Sequence, residues 1–159
     1  MLRTLLFLLP LSLAQGEYLK IDMSFGGMEC ASCSTFIQGK FGKNPGIESV
    51  NIDNKKHVVQ MVLKPGNTVR ISQVRDFVQQ SGFTPKEAKV TVMGVASVEK
   101  GYTNFAITGL NQIIRLRDKD TVTRELISKK AVIEGVWQVI TNDGEKLEVI
   151  DVDKAARAK

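Results

Sequence analysis

The order of hydrophobic patterns between Tyr18 and Gly94 constrains the fold more than any other feature of this 159-residue chain. Apolar residues at every second position predict strands, and apolar residues three or four positions apart predict helices. The residues that carry the pattern are Leu19, Ile21, Met23 and Phe25; Phe36, Ile37 and Phe41; the runs Ser49–Asp53 and His57–Leu63; Ile71, Val74, Phe77 and Val78; and the run Lys89–Met93. This order is β-α-β-β-α-β, which predicts a split βαβ sheet with both helices on one face.

Turn residues and chain direction place three loops together. Asn44-Pro45-Gly46 and Gly82 end the two predicted helices, and Asn54–Lys56 joins the two middle strands as a hairpin. A right-handed crossover after the first strand brings the first loop, the hairpin and the loop after Gly82 to one end of the sheet. We therefore expect Phe83 to lie close to the first loop.

The first loop holds the only two cysteines of the chain, Cys30 and Cys33, within the segment Gly27–Cys33 at a strand-to-helix junction. Two thiolates at this spacing can clamp a soft ion such as Cu(I), Ag(I) or Hg(II), or they can close into a redox disulfide. Zn(II) would require two further ligands to complete a tetrahedron. Cys33 falls in the first turn of the helix, where the helix dipole and free backbone amides favour the thiolate.

At these residues the chain resembles the heavy-metal-associated domain family, the copper-chaperone-like domains of metallochaperones and metal-pumping ATPases. The resemblance covers Leu19 to Met93. The matching elements are Gly27-Met28-x-Cys30-x-x-Cys33, the turn Asn44-Pro45-Gly46-Ile47, the run Val50-x-Ile52 and the segment Ser81-Gly82-Phe83. It implies a ferredoxin-like α+β domain over residues 17–94.

The resemblance also assigns roles to single residues. It implies that Cys30 and Cys33 are the metal ligands, that Met28 is a buried packing residue and not a ligand, and that Phe83 shields the bound ion. His57, the only histidine, is expected at the same end, either solvated or as a third ligand. Glu29 and Ser32 would face outward and influence the choice of partner, and Lys55 and Lys56 are either a solvated turn or a contact for an acidic partner.

The first 14 residues, Met1–Ala14, combine one arginine with a short apolar run and small residues near its end. This pattern is typical of a secretory signal peptide, and the run is too short to span a bilayer. We expect export to the periplasm or the medium, with no stable membrane anchor after cleavage. The net charge of +5 comes without an Arg/Lys run interleaved with aromatic residues, so we expect no nucleic-acid partner.

Residues 95–159 show β-rich runs without a helical period, which predicts a small all-β domain. The expected strands are Thr103–Thr108, Gln112–Leu116, Ala131–Ile140 and Lys146–Val152; Thr121–Lys130 suits a helix or a strand, and the tail Asp153–Lys159 is expected to fray. The run Ala131–Trp137 and the hairpin after it resemble, weakly, small OB-like barrel modules. Trp137 is expected in the core of this domain.

These features together predict an exported, non-enzymatic heavy-metal-binding protein. It would capture Cu(I) foremost, or Hg(II) or another soft ion, between Cys30 and Cys33, and pass it to a metal-transporting or metal-accepting protein. Two alternatives stay open for the same cysteine pair: an interaction module with a structural disulfide, and a thiol-disulfide oxidoreductase. The oxidoreductase is disfavoured because the tryptophan that usually precedes the first cysteine is missing.

Overall fold

A computed structural model describes residues 17–27, 31–117 and 125–158, without the side chains of residues 31–34. The expected signal segment 1–14 and most of the first half of the Thr121–Lys130 segment lie outside these ranges. In chain order the elements are β1 (Glu17–Gly26), α1 (Ala31–Phe41), β2 (Ile47–Asp53), β3 (Val58–Leu63), α2 (Ile71–Gln80), β4 (Thr84–Glu99), β5 (Tyr102–Ile107), a 3-10 turn (Thr108–Leu110), β6 (Gln112–Arg117), β7 (Lys130–Asn142) and β8 (Glu145–Arg157).

The first half of the chain forms an antiparallel sheet in the order β2-β3-β1-β4, covered by α1 and α2. The buried helix residues, which meet the inner face of β1, are Ile37, Phe41, Ile71, Val74 and Val78. Helix α2 starts where the Gln73 side chain accepts a hydrogen bond from the Arg70 N–H, and it ends at Gly82, whose φ of +88° suits a residue without a Cβ. The predicted ferredoxin-like fold is confirmed for this half.

The inward pattern of β1 differs from the prediction at one position. Tyr18 is fully buried and Leu19 only half-buried, although the alternation placed Leu19 inward with Ile21. The pairing of β1 with β4 shifts register between Tyr18 and Lys20, which exchanges the two faces of the strand at that point. The prediction was wrong there because the alternation of apolar and polar residues in a sequence does not reveal where a strand contains a bulge.

The second half of the chain closes into a barrel. Its strands are paired in the order β4-β5-β6-β8-β7 and back to β4, with β6 and β8 parallel and the other neighbours antiparallel. The side chains that fill it are Phe105, Ile107, Ile114, Leu116, Ile133, Trp137 and Ile150. The prediction that Trp137 belongs to the core is therefore confirmed, with 2% of the residue exposed.

Strand β4 belongs to both halves. Strand β7 lies along one edge of β4 from Ala88 to Val95, while β1 and then β5 occupy the other edge. The boundary expected between residues 94 and 95 lies inside this 16-residue strand. At Gly94 a Cβ would overlap the Phe105 ring of β5, so only glycine permits the close approach of the two strands there.

The end of the chain is ordered by pairing, against expectation. Strand β8 continues to Arg157, which lies opposite Ala131 of β7, and Lys154 lies opposite Glu134. The expected fraying from Asp153 onward was wrong because β7 is long enough to offer partners to the whole tail. No helix within the described ranges is long and apolar enough to cross a membrane.

Polar contacts hold the loop before α2 against β1, and one further contact reaches the barrel. The Glu17 carboxylate accepts hydrogen bonds from the N–H groups of Gly66 and Asn67, and the Asn67 amide donates to the Tyr18 carbonyl at 2.9 Å. The Arg70 guanidinium donates to the Leu110 carbonyl of the barrel. Burial raises the pKa of Tyr18, and the Glu148 carboxylate of the barrel adds to the shift, so the phenol stays neutral.

Gly135→Ala should destabilise the protein by about 1–3 kcal/mol, because the new Cβ would overlap the Asp151 carbonyl oxygen and lie 2.8 Å from Ile150 Cγ2. Gly39→Ala is the matched control. Helix α1 leaves open space around Gly39, so the same methyl group should stabilise by about 0.5–1 kcal/mol. Chemical denaturation of both variants checks the pair; equal effects would contradict the described β7–β8 contact.

Candidate metal centre

The predicted metal loop connects the end of β1 to the start of α1. Strand β1 ends at Gly26 and α1 begins at Ala31, so Cys33 lies in the first turn of the helix as expected. Met28, Glu29 and Cys30 lie outside the described residues, as do the side chains of Ser32 and Cys33. The structure therefore locates the strand and helix that flank the loop, and the thiol positions stay a prediction.

Two glycines form the entrance to this loop. Gly27 has φ +125°, a conformation that residues with a Cβ rarely adopt. A Cβ at this position would lie 3.6 Å from both the Gly82 carbonyl oxygen and Phe83 Cα. Next to it, Gly26 at the end of β1 pairs with Thr84 at the start of β4. The loop after α2 thus passes directly beside Gly27, which places Phe83 at the cysteine end of the sheet, as chain direction predicted.

Three aromatic rings cover the foot of the loop. Phe25 lies between Phe83, at 4.8 Å between ring centroids, and the His57 imidazole, at 5.8 Å and nearly perpendicular. The Phe25 N–H donates to the His57 carbonyl at 2.9 Å, and His57 has φ +53°. Phe83 is buried and His57 half-buried. We call Phe25, His57 and Phe83 the aromatic wall; it lies at the end of the sheet where β1 leads into the loop.

The hairpin beside His57 carries the two lysines that the sequence singled out. Lys55 and Lys56 are exposed, and both of their backbone N–H groups donate to Asp53 Oδ1, at 3.1 and 3.0 Å. The Lys56 ammonium also lies 3.8 Å from the Asp53 carboxylate. Asp53, which sequence reasoning passed over, therefore fixes the turn and offsets part of its positive charge.

Helix α1 exposes an aromatic residue that the sequence pattern placed in the core. Phe36 is 53% exposed, whereas Ile37 and Phe41 are buried. Its ring stacks on Phe77 of α2 at 6.4 Å, and the Lys40 ammonium lies 5.4 Å from both ring centroids. The prediction was wrong because Ile37 and Phe41 already define the buried stripe, and Phe36 lies about 100° away from Ile37 around the helix.

No group of three or more His, Cys, Asp or Glu side chains in the described ranges has an arrangement that could hold a metal ion. The described neighbours of the His57 ring are aromatic: it contacts Phe25, which in turn packs on Phe83.

Comparison with known proteins identifies the segment that carries the loop. Residues 23–84 match the family model of the heavy-metal-associated domain. Among solved structures, a copper-binding domain from HMA7, a P-type ATPase, is 22% identical with a TM-score of 0.38, over 45% of this chain and 92% of that one. The yeast copper transporter domain CCC2A is 17% identical with a TM-score of 0.38, over 45% and 93%. A putative copper-ion-binding protein from Bacillus anthracis is 18% identical with a TM-score of 0.37, over 46% and 99%.

Phe83→Ala should destabilise the protein by about 3 kcal/mol or more, because it removes a buried ring that packs on Phe25. Phe36→Ala is the control, since the same truncation at a half-exposed ring should cost less than about 1 kcal/mol. Urea denaturation of the metal-free, reduced protein measures both. A Phe83 variant as stable as the Phe36 variant would show that the aromatic wall is not packed as described.

Proposed function

Residues 23–84 form a heavy-metal-associated domain, and we propose that this protein captures a soft metal ion between Cys30 and Cys33 and passes it to another protein. Cu(I) is the foremost candidate, with Hg(II) as the alternative. The observation that carries the proposal is the motif Gly27-Met28-x-Cys30-x-x-Cys33 at the junction of β1 and α1, inside the matched segment. The metal is the cargo of this site, and no chemical conversion is assigned to it.

The donor set selects the ion. Two thiolates suit soft ions of low coordination number, whereas Zn(II) would need two further ligands. The first turn of α1, where Cys33 lies, offers free backbone amides that stabilise a negative sulfur. Transfer would proceed by ligand exchange: a partner thiolate binds the ion, one cysteine of this protein leaves as a thiolate, and the second exchange then releases the ion.

The aromatic wall supports this use of the loop. Phe25 and Phe83 pack on each other at the end of β1 that leads into the loop, and the backbone hydrogen bond from Phe25 to His57 fixes the neighbouring hairpin. An apolar floor would limit access of water and competing ligands to a two-coordinate ion. His57 would then be a wall residue, held against Phe25, and not a third metal ligand.

The segment Met1–Ala14 supports export. Export in turn affects the oxidation state of Cys30 and Cys33. In the periplasm or the medium, a cysteine pair with two intervening residues is exposed to oxidation, so metal must arrive before a disulfide forms. The two alternative functions differ in what they predict: the interaction module requires a permanent disulfide, and the oxidoreductase would reduce insulin disulfides, which a metal carrier should not do.

Helix α1 offers a docking surface for the protein that receives the metal. Phe36 supplies exposed apolar area on the helix that follows the loop, and Lys40 and Lys43 are basic residues in a stretch, residues 31–47, that contains no acidic one. A surface of this composition would complement a partner domain with acidic residues around an apolar patch.

The barrel would position the metal-binding half. A closed five-stranded barrel with one parallel pair, β6 with β8, supports the weak OB-like resemblance of residues 95–159. We keep the division into residues 17–94 and 95–159 as a proposal, with β4 common to both units.

Replacing both cysteines, Cys30→Ser and Cys33→Ser, should abolish stoichiometric binding of Cu(I) and Hg(II) under reducing conditions. The hydroxyl oxygens that replace the thiolates are poor ligands for soft ions. Metal analysis after gel filtration measures the stoichiometry.

His57→Asn is the matched control. This variant should bind as many metal ions per molecule as the unmodified protein, because asparagine accepts a positive φ and both thiols remain. Unchanged metal content in the double serine variant would refute the proposal. So would thiol counting on protein from its own compartment that finds Cys30 and Cys33 joined in a disulfide that cannot be reduced.

Phe36→Ser should slow Cu(I) transfer to an acidic copper-ATPase metal-binding domain by about fivefold, the order expected for losing an exposed aromatic contact at an interface. Val62→Ser removes an exposed apolar residue, 39% exposed, from the opposite face of the sheet and should leave the rate unchanged. Stopped-flow transfer from metal-loaded protein compares the two. Equal rates for both variants would exclude α1 as the docking surface.

A further inference from the structure

The barrel carries a second exposed surface, on the outer side of β5 and β6. Phe105, Ile107, Ile114 and Leu116 point inward, so the residues between them point outward. We call this outer surface the β5–β6 face. Its residues are Tyr102, Asn104, Ala106, Ile113, Arg115 and Arg117.

Arg115 is the unusual member of the β5–β6 face. Its guanidinium carbon lies 3.8 Å from the centroid of the Tyr102 ring, a stacked cation–π geometry. The Nε atom is buried and has no hydrogen-bond partner. Among the residues that the structure describes, no carboxylate lies within 4.0 Å of this guanidinium. Within the described ranges, Arg115 is thus a cation that is positioned by stacking and has no carboxylate partner.

The neighbouring arginine shows the contrast. Arg117 donates from Nε and Nη2 to the two oxygens of Asp151, both at 2.6 Å. The same strand therefore carries one guanidinium that is paired within the chain and one that is only stacked. Arg117 shows how a guanidinium on this strand pairs with a carboxylate, whereas the Nε of Arg115 is buried and leaves only its terminal nitrogens for such a pair.

A planar guanidinium binds a carboxylate through two parallel hydrogen bonds, and stacking on a ring reduces the freedom lost when it does so. Apolar area flanks this position: Tyr102 is 50% exposed and Ile113 71% exposed, at opposite ends of the face. Arginine and tyrosine are the residue types that contribute most to the free energy of protein–protein binding. The face thus combines a carboxylate receptor with apolar contacts on either side.

We infer that the β5–β6 face is a docking surface for a second protein, which contributes an Asp or Glu carboxylate to Arg115 and apolar side chains to Tyr102 and Ile113. Charge decides the class of partner. Arg117 is paired with Asp151, so Arg115 is the one arginine of the described face without a carboxylate partner, and a single cation is too few for a nucleic-acid backbone or an anionic membrane.

This surface is separate from the metal loop. Thr84, at one end of β4, pairs with Gly26 beside the loop, while Glu99, at the other end, pairs with Tyr102. A protein bound to the β5–β6 face would leave the loop accessible to its metal-receiving partner. The barrel would then tether the metal-binding half to a second protein, and this inference does not depend on the metal chemistry.

The test uses the full-length, metal-free protein labelled with ¹⁵N and the blocked peptide Ac-Leu-Asp-Leu-Glu-amide as a carboxylate probe. The Arg115 Nε–H signal should shift and saturate. Arg115→Gln should weaken binding about tenfold, as expected for the loss of a charge-assisted pair. Arg75→Gln on α2 is the matched control and should bind like the unmodified protein. Circular dichroism confirms that both variants fold.

Three results would overturn the inference. The first is the absence of a saturable change in chemical shift up to about 10 mM peptide, which would mean that the protein does not bind the carboxylate probe specifically. The second is equal binding of the amide analogue Ac-Leu-Asn-Leu-Gln-amide, which carries no carboxylate. The third is binding of inorganic phosphate as tight as that of the peptide, which would identify a general anion site. None of these results bears on metal binding at Cys30 and Cys33.

Discussion

The pairing of β4 along both of its edges is the constraint on which the rest of the structure depends. From Ala88 to Met93, both edges of β4 are paired with a neighbouring strand: β1 lies along one edge and β7 along the other. An isolated four-stranded sheet would leave this edge of β4 open, which invites pairing with other chains. Here β7 covers the edge, and the same strand continues into the barrel. The two halves therefore share backbone hydrogen bonds and do not merely touch.

Polar contacts lie at the far end of β1 from the cysteines. The buried Glu17 and Asn67 side chains bind backbone groups of the loop before α2 and of β1, which satisfies these polar groups within the first half. Arg70 adds one contact to the barrel, through the Leu110 carbonyl. The cysteine loop follows the opposite end of β1, where Gly26 and Gly27 lie beside the segment after α2.

The candidate metal end owes its shape to three loops that meet there. Gly27 lies against the Gly82 carbonyl, and Phe25 contacts both Phe83 and His57. These residues come from three segments that are far apart in sequence: Phe25 and Gly27, His57, and Gly82 and Phe83. The ferredoxin-like topology alone brings them to one end, because right-handed crossovers return each helix to the same side of the sheet. The loop thus gains an apolar floor from residues far away along the chain.

The sequence by itself determined the βαββαβ order, the strands of the second half, the core position of Trp137 and the cysteine loop at the β1–α1 junction, because each depends on local periodicity or on a contiguous motif. Only the tertiary structure decided the features that depend on distant neighbours. The bulge at Tyr18, the exposure of Phe36 and the pairing of the tail with β7 are of this kind. So are the sharing of β4 and the pairing of Arg117 with Asp151, because a partner 34 residues away leaves no trace in a local pattern.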